Sequence, residues 1–303
     1  MYKLPVFATL RIGYGFVWRE RRDLVAYALL PVLLTTFTSV FMATTGVGQN
    51  EYFNPVIGIN GEGPSQFLKF SVLNNGGPLP NVVGTIFLLL QMWLFIAFQV
   101  AWIRRHLIGP APNPSGAVFQ WRRRHFRYTS YLIVTLVLLM VVLVLFFFVF
   151  AFIDSFLIDD KDLATTENSA YAIVHAIALA IGFLLTHRLW LIFPASALDD
   201  ERITLRVSRK ITKGNMWRIW MVIGLGNLWL FYGIWELYLE LAFNGVFVSA
   251  LQNSIALFSM AVLILEASGF ALAATSASLL AATYRQFVDN VPLETAPAGP
   301  GTV

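Results

Sequence analysis

Ionisable side chains inside long apolar stretches are the residues of this chain whose type and placement could do chemistry. Glu266 interrupts the run MAVLILEASGFALAA, His175 lies in a second apolar stretch, and Glu236 and Glu240 lie in a third. Charged groups are costly inside a bilayer, so each one marks a candidate proton or cation site. At a common depth, His175 and a carboxylate could share a proton around one outer-side cavity. The alternative is a structural role, in which these groups form hydrogen bonds that join helices.

Other reactive sites find little support in the sequence. The chain contains no Cys, which excludes disulfides, thiolate nucleophiles and cysteine metal sites. The histidine and carboxylates named above lack the close spacing typical of metal ligands. The sequence also contains no nucleophile elbow and no HExxH motif. We therefore expect no catalytic residue, no metal and no cofactor.

The elements that carry these groups are predicted to be membrane-spanning helices. Of the 303 residues, 57% are hydrophobic and 13% are charged, whereas a soluble domain is about 25% charged. Crossing a hydrocarbon core of about 30 Å takes about 20 helical residues. The pattern predicts an all-α integral membrane protein with six transmembrane helices in three hairpins. The spans are predicted at 24–45, 80–103, 128–153, 169–193, 219–238 and 254–284.

Lys and Arg residues predict which side of the membrane each connection faces. Of the 21 basic residues, only Lys69 and Lys161 fall outside the four segments that would share one side. The positive-inside rule therefore predicts that both chain ends are cytoplasmic. Counting from Arg285 places Glu266 in the outer half of the bilayer. The remaining segments are predicted as a cytoplasmic interfacial N-terminus, an irregular outer loop and a flexible cytoplasmic tail, at 1–23, 46–79 and 286–303.

Aromatic and basic residues are paired at the predicted inner ends of the helices. Three pairs about 100 residues apart precede the outward-running helices: Trp18-Arg19, Trp121-Arg122 and Trp217-Arg218. Three aromatic residues beside basic ones end the returning helices: Trp102, Trp190 and Tyr284. Indole rings and arginine both favour the headgroup layer. The pairs indicate either general interfacial anchors or a threefold repeat of helical hairpins.

Two basic connections are predicted to contact anionic lipid headgroups. The segment WRRRHFRY at 121–128 interleaves basic and aromatic residues, a pattern that indicates nucleic-acid binding in soluble proteins. Beside a membrane helix, anionic lipid is the simpler partner, and a protein partner is the alternative. We expect no nucleic-acid binding. The predicted headgroup contacts are Arg19, Arg122, Arg123, Arg124, Arg206, Arg209, Lys210, Lys213 and Arg218.

The second of these connections is predicted to contain an interfacial amphipathic helix. The run LDDE at 198–201 is typical of a helix start, with carboxylates at the positive end of the dipole. Ile203, Val207 and Ile211 then form an apolar stripe beside a basic one. Such a helix would lie with its apolar side in the bilayer and its basic side toward phosphates. The run KGN at 213–215 would end it.

Small residues repeat at every fourth position of the last predicted span. Gly269, Ala273, Ala277 and Ala281 share one helix face. Such faces let two helices approach closely. They predict either packing inside the chain or a surface for a partner or a second copy.

Two stretches also carry a family resemblance. The runs YGFVWRERRDLVAYALLP at 14–31 and LIFPASALDDERITLRVSRKITKGNMWR at 191–218 resemble the glycerophosphoryl diester phosphodiesterase membrane-domain family of bacteria and its uncharacterised relatives. The matching elements are Pro194, Asp199-Asp200 and the stretch 212–218. The resemblance implies a helical unit of the bacterial inner membrane, tied to envelope or lipid homeostasis. The soluble catalytic barrel of the fused members would need about 200 further residues, so it implies no catalytic residue here.

Taken together, these patterns favour a non-enzymatic membrane protein. The sequence predicts a scaffold, assembly factor or accessory subunit of a membrane complex, or a homo-oligomer, with anionic phospholipids as partners. The alternative is a small-solute or proton-coupled transporter that uses the outer-leaflet carboxylates. A membrane-embedded enzyme acting on lipids is the least supported class.

Overall fold

The computed structural model describes nine helices and no strand within residues 2–45, 78–157, 181–182, 186, 189–228, 230, 232–234 and 254–290. The helices are α1 (Val6–Arg19), α2 (Arg21–Thr45), α3 (Pro78–Leu107), α4 (Pro114–Phe119), α5 (Arg123–Leu157), α6 (Ile192–Leu198), α7 (Leu205–Ile211), α8 (Met216–Ile219) and α9 (Ile255–Asn290). A π-helical turn at Trp220–Leu225 directly follows α8.

Four helices are long and apolar enough to cross a membrane: α2, α3, α5 and α9. They confirm the all-α membrane class and agree with the predicted spans at 24–45, 80–103, 128–153 and 254–284. Helix α5 exposes most of its apolar side chains, as a helix surrounded by lipid would. The predicted spans at 169–193 and 219–238 lie mostly or partly outside the described residues. Six crossings in three hairpins, the outer loop and the sidedness of the chain ends therefore stay predictions.

Helix α9 is the central element, because it packs against α1, α2 and α3. Its small residues Ala273, Ala277 and Ala281 are all buried, which places this part of the predicted packing face inside the chain. Gly269 differs, since a Cβ at that position would meet no described atom within 4 Å. Packing among the described residues therefore accounts for the three alanines and not for Gly269.

The first 23 residues, predicted as an interfacial segment, contain helix α1 and the start of α2. Helix α2 begins at Arg21, three residues before the predicted span. Helix α1 buries Thr9 and Gly13 against α9, and an ideal Cβ on Gly13 would lie 2.6 Å from Leu279 Cδ2. Phe7 and Trp18 are strongly exposed. At the other end of the chain, α9 continues to Asn290, so the first five residues of the predicted flexible tail are helical.

The connection between α3 and α5 is packed into the helix bundle. Helix α4 begins with Asn113, whose Oδ1 accepts a hydrogen bond from Gly116 N at 2.9 Å. It packs against α2 and α3, and the backbone N of Ala111 donates to Tyr27 Oη at 3.1 Å. Val118 is fully buried. This connection therefore occupies space between helices and does not simply lie over their ends.

The acidic run at 198–201 ends a helix, so its interpretation as a helix start is wrong. Helix α6 ends at Leu198, and Asp199 adopts a left-handed conformation with φ 59°. The backbone N of Asp200 then donates to Ala195 O at 2.9 Å, which closes the helix end. Asp tolerates this conformation better than most residues do, which explains how an acidic residue can occupy a helix C-terminus.

Helix α7 begins later than predicted and has its apolar side on the protein. Thr204 caps it by accepting a hydrogen bond from Val207 N at 3.3 Å. Ile203 is buried, and Val207 and Ile211 pack against the hydrophobic core. The apolar stripe therefore faces protein and not the bilayer, because core packing produces the same periodicity as lipid contact. The predicted end of the helix is confirmed, with Gly214 at φ 79°.

The π-helical turn changes the face that the following residues present. A turn of this type contains an additional residue relative to an α-helical turn. Just after it, Asn227 donates from Nδ2 to Ile223 O at 2.7 Å and accepts at Oδ1 from Ser276 Oγ at 3.0 Å. Asn227 therefore joins this segment to α9.

Candidate polar cluster and basic surface

Glu266 belongs to a polar cluster that joins α2, α3 and α9. Its Oε1 accepts a hydrogen bond from Ser39 Oγ at 2.9 Å. Gln91 donates from Nε2 to Ser39 Oγ at 3.0 Å and to Thr38 Oγ1 at 2.8 Å. Sequence patterns did not single out Ser39 and Thr38, because hydroxyl side chains are common in membrane helices and bond to many partners.

The predicted contact of Glu266 with three other ionisable groups stays a prediction. His175, Glu236 and Glu240 all lie outside the described residues. Among the residues that are described, no group of three His, Asp or Glu side chains could hold a metal ion. The observed hydrogen bonds fit the structural interpretation of Glu266, and a carboxyl group held by a hydroxyl also suits a proton site.

The predicted headgroup residues differ in how far they are exposed. Arg124 is buried and lies 3.4 Å from Asp199 Oδ2, while Arg218 donates from Nη1 to Leu4 O at 2.8 Å. Asn215 Oδ1 also binds this N-terminal segment by accepting from Leu4 N at 2.8 Å. Arg218 thus helps to position the chain before α1. The exposed cations are Arg19, Arg122, Arg123, Arg206, Arg209, Lys210 and Lys213.

Four exposed cations border an open depression beside α7. The depression has a volume of about 550 Å³, and Leu189 and Leu205 form its apolar part. Because the other side of α7 packs on the core, this helix holds its cations on an outward-facing surface. The four cations are Arg206, Arg209, Lys210 and Lys213.

A second, smaller cavity of about 280 Å³ lies between α2, α3 and the connection to α5. Its basic lining residues are Arg104, Arg105, Arg122, Arg124 and His125. The sequence indicated Arg122 and Arg124 but not Arg104 and Arg105. The signal that could have identified the latter is that two adjacent arginines end one helix just before the WRRRH run begins another.

Asp200 links the end of α9 to the turn that positions Asp199. Its two carboxylate oxygens accept from Arg202 at 2.9 and 3.0 Å, and Tyr284 Oη donates to it at 2.6 Å. Burial alone would raise the pKa of Asp200, but these hydrogen bonds outweigh burial and hold that pKa below its usual range. The adjacent Asp199 is thereby held beside Arg124.

The aromatic anchors predicted for the returning helices are wrong. Trp102 is fully buried and donates from Nε1 to Ser278 Oγ at 2.9 Å, and Trp190 and Tyr284 are also buried. Residues two positions apart on a helix point about 200° apart, so Trp102 and Arg104 cannot share a face. Trp18 and Trp217 are exposed, as interfacial anchors must be.

Comparison with known proteins adds no relative. No family model matches the chain, and no match was found among curated proteins or among solved structures. The fold itself, with four long apolar helices, fits the class of α-helical membrane proteins. The family resemblance stays a prediction.

Proposed function

We propose that this protein is a non-enzymatic, multi-pass protein of a bacterial inner membrane that serves as a scaffold, assembly factor or accessory subunit. Both chain ends would be cytoplasmic, and a basic cytoplasmic surface would bind anionic phospholipids. The resemblance to the glycerophosphoryl diester phosphodiesterase membrane-domain family is part of this proposal, and it supports a role in the envelope.

The exposed cations of α7 are the observation that carries the proposal. Two features fix this short helix, the Thr204 cap and the packing of its apolar side on the core. Its cations therefore project from an ordered surface. A basic residue near an anionic membrane surface contributes about 1 kcal/mol, so the four cations together could contribute about 4 kcal/mol.

Lipid preference in nanodiscs tests this part of the proposal. The full chain would be reconstituted with phosphatidylcholine and phosphatidylglycerol, and the lipids retained by the protein would be quantified by native mass spectrometry. A variant with glutamine at Arg206, Arg209, Lys210 and Lys213 should lose at least tenfold of its phosphatidylglycerol preference. Glutamine at Lys69 and Lys161, predicted on the opposite face, provides the control. An unchanged preference in the quadruple variant would contradict the proposal.

The scaffold part requires a stable assembly. Extraction in a mild detergent followed by mass measurement should give a particle larger than the 34.0 kDa chain with its detergent. A bare monomer at native expression levels would argue against a scaffold or subunit and in favour of transport.

The polar cluster around Glu266 favours transport as the second candidate function. Ser39 of α2 binds the Glu266 carboxyl group of α9 and also accepts from Gln91 of α3, so hydrogen bonds connect three helices around one carboxyl group. In a proton-coupled carrier, this carboxyl group would bind and release the proton in turn. Glu266→Gln should then abolish solute uptake into proteoliposomes under a proton gradient, while Glu201→Gln at an exposed site should not. Normal uptake by the Glu266 variant would exclude this mechanism.

A further inference from the structure

The small cavity between α2, α3 and α5 is a partly open pocket whose walls come from several elements. Tyr27 comes from α2, Val100 and Ala101 from α3, and Ala111 from the packed connection. Its volume of about 280 Å³ is close to the lower end of small-ligand sites, which begin near 300 Å³. This cavity is separate from the depression beside α7, with which it shares no lining residue.

The cavity carries more positive charge than the surrounding carboxylates neutralise. Arg105 forms ion pairs with Glu20 and Asp23, at 2.6 Å each. Arg124 forms an ion pair with Asp199 at 3.4 Å. Arg104 and Arg122 have no carboxylate within 4 Å in the described part of the chain. Arg104 donates to a backbone carbonyl at 3.0 Å, and Arg122 donates to Gln120 Oε1 at 3.0 Å. Arg104 is repelled by Arg124 and Arg122 and attracted by Asp199, which already contacts Arg124.

His125 adds a buried donor that has no acceptor. Its side chain is 2% exposed, and its ring stacks on Trp121 with centroids 5.0 Å apart. Nδ1 lies 3.0 Å from Arg122 N and 3.3 Å from Arg122 O. Because a backbone N–H can only donate, we assign Nδ1 as its acceptor and the ring hydrogen to Nε2. Nε2 is buried and makes no hydrogen bond to any described residue. Leaving a buried donor unpaired is unfavourable, so a ligand acceptor would be favoured at Nε2, and reaching it requires neighbouring side chains to move.

Tyr27 supplies one more donor to the same cavity. The side chain is 1% exposed, and its oxygen accepts from Ala111 N at 3.1 Å. The hydroxyl hydrogen remains available, since the described residues provide it with no acceptor. The cavity thus combines guanidinium groups, an imidazole N–H and a phenol O–H, all of which donate.

We infer that this cavity, lined by Tyr27, Arg104, Arg122, Arg124 and His125, binds a phosphate group. An oxyanion with several acceptor oxygens matches a lining of donors, and guanidinium groups pair with phosphate through two parallel hydrogen bonds. A bare phosphate ion would not fill the cavity, so the ligand is a small phosphate ester. The ester is either a phospholipid headgroup or a soluble phosphomonoester, and the lipid case rests on the function proposed above.

Two adjacent arginines provide a matched test. Arg122 and Arg123 are both exposed, and only Arg122 lines the cavity. Arg122→Gln and Arg123→Gln therefore remove the same charge from neighbouring positions. Dissociation constants of the full chain in neutral detergent would be measured for inorganic phosphate, glycerol 3-phosphate and phosphatidic acid, with phosphatidylcholine as the control lipid. Arg122→Gln should weaken binding of the preferred probe about tenfold, whereas Arg123→Gln should change it less than about twofold.

The outcomes separate the sources of the phosphate and the two proposals. Saturable binding of glycerol 3-phosphate, weakened selectively by Arg122→Gln, supports a soluble ester. The same selectivity seen only with phosphatidic acid supports a lipid headgroup. Equal effects of the two substitutions, or no binding of any phosphate probe, overturn the inference. The quadruple α7 variant leaves this cavity intact, so the surface and the cavity can fail independently.

His125→Phe offers a second variant that retains an aromatic ring against Trp121. It removes the unpaired Nε2 donor, so it should weaken phosphate binding at least fivefold. A variant that melts at the wild-type temperature and binds phosphate as tightly as wild type would also overturn the inference.

Discussion

Replacing Gly13 by Ala should loosen the contact between α1 and α9. The added Cβ would lie 2.6 Å from Leu279 Cδ2 and 3.3 Å from Leu279 Cα, both closer than ordinary van der Waals contact. Leu279 has little room to turn away, because it is fully buried and its other methyl group lies 3.0 Å from the corresponding Cβ position of Gly226. The clash must therefore be relieved by moving one helix.

The size of the effect follows from a comparison within the same helix. Overpacking a well-packed site costs about 1–3 kcal/mol. Replacing a helical Gly by Ala stabilises the helix by up to about 1 kcal/mol. At Gly15 an added Cβ meets nothing within 4 Å, so Gly15→Ala should show only the helix-propensity gain. Gly13→Ala should therefore be less stable than Gly15→Ala by about 1–3 kcal/mol, because the propensity term cancels.

Unfolding by dodecyl sulfate in mixed micelles, followed by tryptophan fluorescence, measures this difference. Leu279→Ala removes the methyl groups that cause the clash. In that background, the difference between Gly13→Ala and Gly15→Ala should shrink, because only the contact with the backbone Cα at 3.3 Å remains. Equal stabilities of the two glycine variants in the wild-type background would refute the reasoning, since α1 would then not pack on Leu279.

Three further predictions concern polar contacts. Arg105→Gln should destabilise the protein by about 1–3 kcal/mol, because it strands two carboxylates; Arg285→Gln, at an exposed pair 3.7 Å apart, should change stability by less than about 0.5 kcal/mol in the same assay. Trp102→Phe should lower stability by about 1–3 kcal/mol by losing a buried hydrogen bond and volume, whereas Trp18→Phe at an exposed site should be nearly neutral in melting temperature. The pKa of Asp200 is lowered from its ordinary value of 3.8, so the ionised carboxylate stabilises the fold above that pH, and this stability is lost as the pH falls through the folded pKa. Asp200→Asn should therefore melt at a lower temperature than wild type at pH 7 and lose less stability on acidification. Parallel pH profiles of melting temperature for the two proteins would contradict this.

Long apolar runs predicted the spanning helices well because hydropathy over about 20 residues depends little on neighbours. Helix α1 was missed for the opposite reason. Its fully buried positions are Thr9 and Gly13, which are small and only weakly apolar, and the flanking Val6, Leu10 and Val17 are only partly buried. The stripe is therefore too short and too weakly apolar at its centre to stand out beside the spanning helices. Close helix contact selects small residues at such positions, and only the partner Leu279 makes their role evident.

Local patterns near the basic residues were harder to interpret because two physical causes give the same sequence. An acidic residue suits a helix start, and it also tolerates the left-handed conformation that Asp199 adopts at a helix end. Similarly, the apolar stripe of α7 fits a lipid surface or a protein core equally well. The cavity around His125 was not predictable, since it depends on how the α3–α5 connection folds back against Tyr27.

The π-helical turn before Asn227 has a consequence for the segment 216–228. Before the turn, Arg218 donates a hydrogen bond to Leu4 O, and after it Asn227 accepts one from Ser276 of α9. An extra residue rotates the residues that follow it by about 100° around the helix axis. The turn therefore lets Arg218 and Asn227 each face its own partner. Removing a single residue from Trp220–Leu225 would restore a regular helix. Only one of the two hydrogen bonds, Arg218 to Leu4 or Ser276 to Asn227, could then form. The insertion thus lets a single helix be fastened to two different parts of the bundle.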